Sequence, residues 1–369
     1  MNVALIAMFG VLLWLPTLDT LFKMDRTTAI DEKRVPAQPP HLQSFPGGLK
    51  EYIAGLEACF NDHFGCRNRL IRWQIDWQLM FLGAAGESGN TVIIGRDNWL
   101  FYPRNQMVEH YRGVRQFTPQ NLRDWQALLE QRRDWLARRG IKYLFVIAPD
   151  KQSIYSQYLP AWMTKVRPET KLDQFFAYLR AHSTVEVVDL RPALLDSRRI
   201  APVYFKTDTH WNALGGFVAC QEIAKKLPGL EPLSLASFEL KKTDGPGGDL
   251  AVALGLKMTE ENAVSLTPNP GVPRLEMSAD LANHPEYRVP SITKNSRGKG
   301  AALVYCDSFG IELTPFLGCH FGKVTYLRKY ELDAEWIEQE KPDVVISETV
   351  EREFNVMDPN HLKADDALK

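Results

Sequence analysis

A serine near the C-terminal end of the chain follows an apolar run in a pattern suited to nucleophilic catalysis. The segment reads Val304-Tyr305-Cys306-Asp307-Ser308-Phe309-Gly310. A serine at the carboxyl end of a sheet strand presents its hydroxyl where the sites of α/β proteins collect. The backbone N–H groups of Ser308 and Gly310 are then placed to stabilise an oxyanion, and Gly310 lets the chain turn without a side-chain clash. An ordinary turn after a strand would use the same residue types.

An aspartate and a histidine two residues apart supply the other groups that such a serine needs. They lie in the segment Lys206-Thr207-Asp208-Thr209-His210-Trp211-Asn212, which precedes a predicted helix capped by Asn212. In extended backbone, residues two apart point the same way, so Asp208 is placed to orient His210 as a general base. The alternative is that Asp208 caps a turn and His210 is an interior histidine. Taken together, the two segments predict a triad of Ser308, His210 and Asp208.

Three further side chains are candidates for substrate contacts because they lie beside these segments or at the end of another strand: Lys151, Trp211 and Asp307. Lys151 suits an acidic substrate, or is a solvated loop lysine. Trp211 suits stacking on a sugar ring, or packs beneath its loop. The sequence holds no HExxH, P-loop or GxGxxG pattern, so we expect no metal and no nucleotide or other cofactor.

Strands that alternate with amphipathic helices must position these residues. Periodicity predicts strands at 91–94, 143–148, 185–190, 301–305, 323–327 and 343–347, and helices at 49–82 (broken before Gly65), 119–140, 169–182, 212–227 and 331–339. This rhythm predicts an α/β fold with a doubly wound, mainly parallel sheet of the flavodoxin-like kind. Between residues 233 and 300 the rhythm lapses, and we interpret this part as a small β/loop insertion near the active face.

The N-terminal region differs from the rest in composition. Residues 3–22 are almost wholly apolar, with Asp19 as the one charge, and this length is about enough to cross a bilayer. We interpret residues 1–23 as a membrane anchor or uncleaved signal, although Lys23 and Arg26 follow the run and weakly favour the opposite orientation. Residues 24–50 form a proline-rich linker, 51–355 the catalytic domain and 356–369 a tail.

Composition excludes some classes of protein. The 369 residues are 45% hydrophobic and 24% charged, with 44 basic and 45 acidic side chains. A nucleic-acid binder usually carries a concentrated basic excess, so no nucleic-acid partner is expected. The five cysteines form no CxxC pair, and an odd number leaves at least one thiol unpaired.

The chain resembles the SGNH-hydrolase-like polysaccharide O-acetyltransferases of the alginate O-acetyltransferase (AlgJ/AlgX) type. The resemblance runs from about Asn61 to Arg352 and rests on the order of several phrases: Phe60–Arg67, Gly95–Tyr102, Pro149–Lys151, Asp208–Trp211, Gly248–Leu250, Asp307–Phe309, Lys341–Val345 and Glu351–Arg352. The family pattern has Gly-Asp-Ser at the nucleophile, and in this chain Cys306 takes the place of the glycine.

The resemblance implies transfer of an acetyl group, through an acyl-serine, onto hydroxyls of an exported polysaccharide that is alginate-like or another exopolysaccharide. It also implies a multi-spanning membrane O-acyltransferase as the acetyl-donor partner and a periplasmic location, tethered to the inner membrane by the N-terminal segment. Two alternatives remain open. One is an acetyl-esterase that uses the same triad with water as acceptor. The other is a non-catalytic, polysaccharide-binding assembly subunit, which Cys306 favours.

Overall fold

The structure is a computed structural model that describes residues 2–25, 37–40, 49–82, 92–227, 229–278 and 290–362. Most of the predicted linker, and the predicted tail beyond residue 362, lie outside the described residues. The described helices are α1 Asn2–Phe22, α2 Leu49–His63, α3 Arg67–Leu82, α4 Met107–Tyr111, α5 Pro119–Ala137, α6 Lys151–Ile154, α7 Lys171–His182, α8 Arg191–Ser197, α9 Ala213–Lys225, α10 Asp249–Ala253, α11 Thr314–Leu317, α12 Ala334–Glu340 and α13 Glu351–Phe354. The described strands are β1 Ile93–Ile94, β2 Leu100–Phe101, β3 Lys142–Ala148, β4 Val187–Asp189, β5 Phe238–Pro246, β6 Thr259–Pro268, β7 Glu276–Met277, β8 Ser291–Lys294, β9 Ala301–Tyr305, β10 Lys323–Leu327 and β11 Val344–Val350.

The chain divides into two compact units. The first comprises the residues up to Ile93 together with Asp249–Lys257, and contains α1, α2, α3 and α10. The second comprises Ile94–Gly248 and Met258–Lys369, and contains the large sheet.

Helices dominate the first unit. Asp19, the one charge of the apolar N-terminal run, is buried in α1, and its carboxylate accepts the backbone N–H of Cys66 at 2.6 Å. The turn between α2 and α3 lies where the sequence predicts a break, but the residue with positive φ is Cys66, at 61°, rather than Gly65. A Cβ at Gly65 would overlap the carbonyl oxygen of Pro16, so glycine is needed there for close packing. None of the helices in the described ranges combines the length and the apolar character that crossing a membrane requires.

The second unit is built on a seven-stranded sheet in the order β4-β3-β11-β9-β10-β8-β7. The strands from β4 to β10 in this order pair in parallel, whereas β8 and β7 add an antiparallel edge. Every residue of β11 is buried, as expected for a central strand covered on both faces. The predicted α/β fold with a mainly parallel sheet is confirmed.

Aromatic side chains fill the core on one face of this sheet: Trp125, Phe145, Phe175 and Phe354. Trp125 of α5 lies 6.0 Å from Phe145 of β3 and 4.8 Å from Phe354, measured between ring centroids. Leu144 and Val146 alternate with Phe145 and therefore point to the opposite face, and both are fully buried. The sheet is therefore covered on both faces, as in a doubly wound arrangement.

Several elements depart from the predicted bounds. The helix α8 was not predicted, and β11 runs to Val350 rather than to Ser347. The predicted β/loop insertion between residues 233 and 300 contains a long antiparallel hairpin, β5–β6, whose strands the sequence pattern did not locate. Gly245 and Pro246 at the end of β5 favoured a loop, and more than half of the residues in each strand are polar.

Candidate active site

Ser308 lies directly after the carboxyl end of β9, at the first residue of a 3₁₀ helix that spans Ser308–Leu313. Asp307 caps this helix, since its carboxylate accepts the N–H of Phe309 at 2.8 Å. The Ser308 side chain is half-buried, whereas the strand before it is buried. The fold therefore presents the hydroxyl at the sheet edge where sites of α/β proteins form.

Asp208 and His210 lie in a tight loop that we call the acid–base loop, residues 204–211. An antiparallel bridge between Tyr204 and Trp211 closes its ends, and the N–H of Phe205 donates to the carbonyl of His210 at 3.2 Å. Asn212 then begins α9 as predicted, because its side chain accepts the N–H groups of residues 214 and 215.

The three predicted side chains meet in one hydrogen-bonded chain. The Nε2 atom of His210 lies 2.7 Å from the Oγ of Ser308, and its Nδ1 lies 2.7 Å from Oδ1 of Asp208. Because a carboxylate only accepts, Nδ1 carries the proton and Nε2 accepts the serine hydroxyl. Oδ1 of Asp208 also accepts the backbone N–H of His210 at 3.0 Å, so one oxygen fixes both the ring and the main chain of the histidine. This arrangement can remove a proton from the Ser308 hydroxyl.

One of the two predicted oxyanion donors is already engaged. The N–H of Gly310 donates to the carbonyl of Asp307 at 3.2 Å, which corrects the prediction for Gly310. The N–H of Ser308 has no acceptor among the described residues and stays available to an oxyanion. Gly310 is needed for space, since a Cβ there would overlap the side chain of Cys306.

Cys306 fits the position before Asp307 without distorting the backbone. Its φ does not lie in the left-handed region, so this turn does not require a glycine. Its side chain is 1% exposed, and burial raises the pKa of its thiol well above the ordinary value. Cys306 therefore behaves as a small core residue beneath the nucleophile.

Gly248 allows the insertion to approach the acid–base loop closely. A Cβ at this position would overlap the Cβ of Asp208 and lie 2.7 Å from its Oδ2. The N–H of Gly248 donates to the hydroxyl of Thr207 at 2.8 Å. The glycine in the Gly248–Leu250 phrase is thus explained by space beside Asp208.

Comparison with known proteins places the chain in a family. A profile of the SGNH hydrolase-like domain of the acetyltransferase AlgX matches residues 92–280, just over half of the chain. The chain belongs to this family. The matched part carries Asp208 and His210, whereas Ser308 lies beyond it in the sequence.

Individual relatives in sequence are alginate-acetylation proteins by name. The probable alginate O-acetylase AlgJ of Pseudomonas putida is 30% identical over 152 residues, covering 40% of this chain and 37% of the relative. AlgJ of Pseudomonas fluorescens is 28% identical over 202 residues, covering 51% and 46%. The chain thus spans less than half the length of these relatives. Among solved structures, a DHHW family protein from Eubacterium siraeum has a TM-score of 0.52 at 13% identity, covering 76% of this chain and 97% of that one, and shares the fold.

The structure corrects the predicted substrate roles of Lys151 and Trp211. Lys151 is 3% exposed, and its ammonium donates to backbone carbonyls of the acid–base loop, among them that of Phe205 at 3.0 Å. Trp211 is fully buried and donates its indole N–H to the carbonyl of Phe309 at 3.0 Å. Both side chains are therefore buried and stabilise the backbone of the site through hydrogen bonds.

Asp307 also has structural partners, which corrects its predicted substrate contact. Besides capping the 3₁₀ helix through Oδ1, it accepts the N–H of Val350 at 2.7 Å and the hydroxyl of Tyr330 at 3.1 Å through Oδ2. Its carboxylate thus connects the segment after β9 with the end of β11, the neighbouring strand in the sheet.

A buried charged cluster that sequence reasoning missed lies at the end of β11. Arg352 and Asp150 form an ion pair at 2.7 Å, both nearly fully buried, and the guanidinium lies 5.3 Å from the ring centroid of Phe309. Glu351 accepts the N–H of Asp150 at 2.9 Å and the hydroxyl of Ser153 at 2.7 Å. Burial, with the charge of Asp150, raises the pKa of Glu351 to about 7. The Glu351–Arg352 phrase was the only signal, and nothing local in it indicates burial.

Proposed function

We propose that this protein is an O-acetyltransferase that moves an acetyl group through an acyl-serine at Ser308 onto hydroxyls of a polysaccharide. The observation that carries the proposal is the 2.7 Å contact on each side of the His210 ring, to Ser308 and to Asp208. Membership of the AlgX-type family and the names of the sequence relatives support acetyl transfer as the reaction class.

The first half-reaction acylates the serine. His210 takes the proton of the Ser308 hydroxyl as the oxygen attacks the carbonyl carbon of an acetyl donor. The N–H of Ser308 donates to the resulting oxyanion. When the tetrahedral intermediate collapses, the bond to the donor breaks, and the leaving group takes the proton from His210.

The second half-reaction passes the acetyl group to the polymer. A sugar hydroxyl gives its proton to His210 and attacks the acetyl-serine carbonyl. The Ser308 oxygen leaves and regains the proton, so the base is restored for another cycle. Asp208 stabilises the imidazolium that forms in both steps.

The acceptor, donor and location belong to the same proposal. The acceptor is an alginate-like or other exopolysaccharide, in line with the relatives' names. The acetyl group arrives from a multi-spanning membrane O-acyltransferase, and the protein works in the periplasm with its N-terminal segment at the inner membrane. Cell fractionation with an epitope at the C-terminus tests the location, and recovery in the cytosol would contradict it.

Acetyl transfer is tested with the purified full chain and a chromogenic acetyl ester as donor. Alginate oligosaccharides serve as acceptor, and mass spectrometry of the sugars and of Ser308 follows the acetyl group. We expect acetylated sugar with the wild type and none with Ser308→Ala, while Ser296→Ala, at an exposed serine, retains activity. Free acetate at the same rate with or without acceptor would favour the esterase alternative.

A further inference from the structure

The acid–base loop is held by a buried carboxylate from the insertion. Glu260 of β6 is 5% exposed, and its two oxygens accept the backbone N–H groups of Lys206 at 2.5 Å and Thr207 at 2.7 Å. The hydroxyl of Thr207 also donates to Glu260. These two amides immediately precede Asp208, so the carboxylate fixes the peptide units that set the position of the triad acid.

A buried cation holds the same segment from its carbonyl side. The ammonium of Lys151 donates to the carbonyls of Phe205 at 3.0 Å, Lys206 at 3.2 Å and Asp208 at 2.5 Å. Within residues 205–208, two N–H groups therefore donate to a buried anion and three carbonyls accept from a buried cation. Both charges are buried and come from parts of the chain more than fifty residues away.

We propose that Glu260 is a positioning residue of the triad, which acts through the loop backbone to keep Asp208 in register with His210. The hydrogen bond from His210 Nδ1 is only 2.7 Å long and would be lost by a small shift of residue 208. A buried carboxylate is costly unless it receives several donors, and the donors that Glu260 receives from the described residues belong to Lys206 and Thr207. The insertion hairpin is thus an integral part of the site. This inference rests on the proposed function.

Glu260→Gln tests the proposal in the full chain. An amide keeps the size of the side chain but turns one acceptor into a donor, which faces an N–H group of the loop. Two readouts are compared with the wild type: the rate at which a fluorophosphonate probe labels Ser308, and the low-field resonance of the His210 Nδ1 proton. We expect labelling roughly 100-fold slower and a lost or upfield-shifted resonance, because small misplacements of a catalytic group cost about this much.

Glu261→Gln is the matched control on the same strand. Glu261 is exposed and pairs with the side chain of Lys206 rather than with the loop backbone, so its substitution should leave both readouts unchanged. Glu260→Asp retains the charge on a shorter stem, and we expect it to label faster than Glu260→Gln but slower than the wild type. It also decides the matter if the Gln variant fails to fold.

The outcomes separate this inference from the proposed function. Wild-type labelling rate and resonance in both Glu260 variants would overturn the positioning role. Slow labelling with an intact resonance would also overturn it, since Glu260 would then not act through the Asp208–His210 contact. If the wild type itself is not labelled, the proposed nucleophile fails, whereas the resonance still reports whether Glu260 holds the loop.

Discussion

The sulfur of Cys306 occupies the space that a side chain at residue 310 would need. The two residues flank the nucleophile: Cys306 directly follows β9, and Gly310 lies in the 3₁₀ helix that begins at Ser308. The residue types at positions 306 and 310 are therefore linked by packing. A cysteine at 306 is compatible with the turn because residue 310 has no side chain.

Gly310→Ala should lower the free energy of unfolding by about 1–3 kcal/mol, because it overpacks the core beneath Ser308. Cys306→Gly should relieve this clash, so the double variant should be more stable than the sum of the single changes predicts. Urea denaturation of the four proteins of this cycle measures the coupling. Simple additivity would contradict the packing relationship.

Gly248→Ala should slow labelling of Ser308 by roughly 100-fold and, through overpacking, lower the free energy of unfolding by about 1–3 kcal/mol. The added methyl group would push against Asp208 and displace its carboxylate from His210. Gly245→Ala is the matched control, because a Cβ there meets no atom within 4 Å. Equal labelling rates in the two variants would show that the close approach at Gly248 has no role in the site.

Lys151→Met should destabilise the fold by roughly 2–4 kcal/mol, because it leaves the carbonyls of the acid–base loop buried without their donor. The fluorophosphonate probe should also label Ser308 of this variant more slowly, because the acid–base loop carries Asp208. Thermal and urea denaturation measure the first effect and the fluorophosphonate assay the second. Lys299→Met, at an exposed lysine, is the control. A stable variant that labels at the wild-type rate would show that these hydrogen bonds of Lys151 are not needed to hold the acid–base loop.

Glu351 should make stability depend on pH. Its pKa is about 7 in the folded protein against an ordinary value of 4.5, so the folded state binds more protons between these values. The free energy of unfolding should therefore fall as the pH rises from about 4.5 to about 7, by up to about 3 kcal/mol from this group. Glu351→Gln should flatten that part of the stability curve.

Urea titrations at intervals between pH 4 and pH 8 measure the effect of Glu351. Glu331→Gln, which changes an exposed carboxylate, is the control and should follow the wild-type curve. If Glu351→Gln also runs parallel to the wild type over this range, the buried carboxyl is not the source of the dependence.

Local signals predicted much of the fold. Thr118 and Pro119 predict the start of α5, because an N-cap and a proline at the first helical position depend on neighbouring residues alone. The sequence also singled out Ser308, His210 and Asp208, whose side chains the structure brings into hydrogen-bonding contact. The end of β11 was missed since Glu348 and Thr349 are polar, yet both are buried at the edge of the site.

Long-range partners explain what the sequence did not reveal. From the sequence alone, Lys151 is interpreted as a surface loop lysine. In the structure, its ammonium donates to carbonyls of a loop that is more than fifty residues away in the chain. Glu260 lies in a stretch without periodicity. Its contacts form because the β5–β6 hairpin places its carboxylate against the acid–base loop. Spacing within one segment cannot report such contacts.

The indole hydrogen bond from Trp211 to the carbonyl of Phe309 joins the residue after the base to the residue after the nucleophile. One buried hydrogen bond therefore helps to fix both the Ser308 oxygen that attacks and the His210 nitrogen that accepts its proton. Any molecule that reacts at this site meets a prealigned pair of atoms and need not drive a closure to assemble it. Small covalent inhibitors make few contacts that could change the conformation of a protein. They should therefore react without a prior rearrangement of the site.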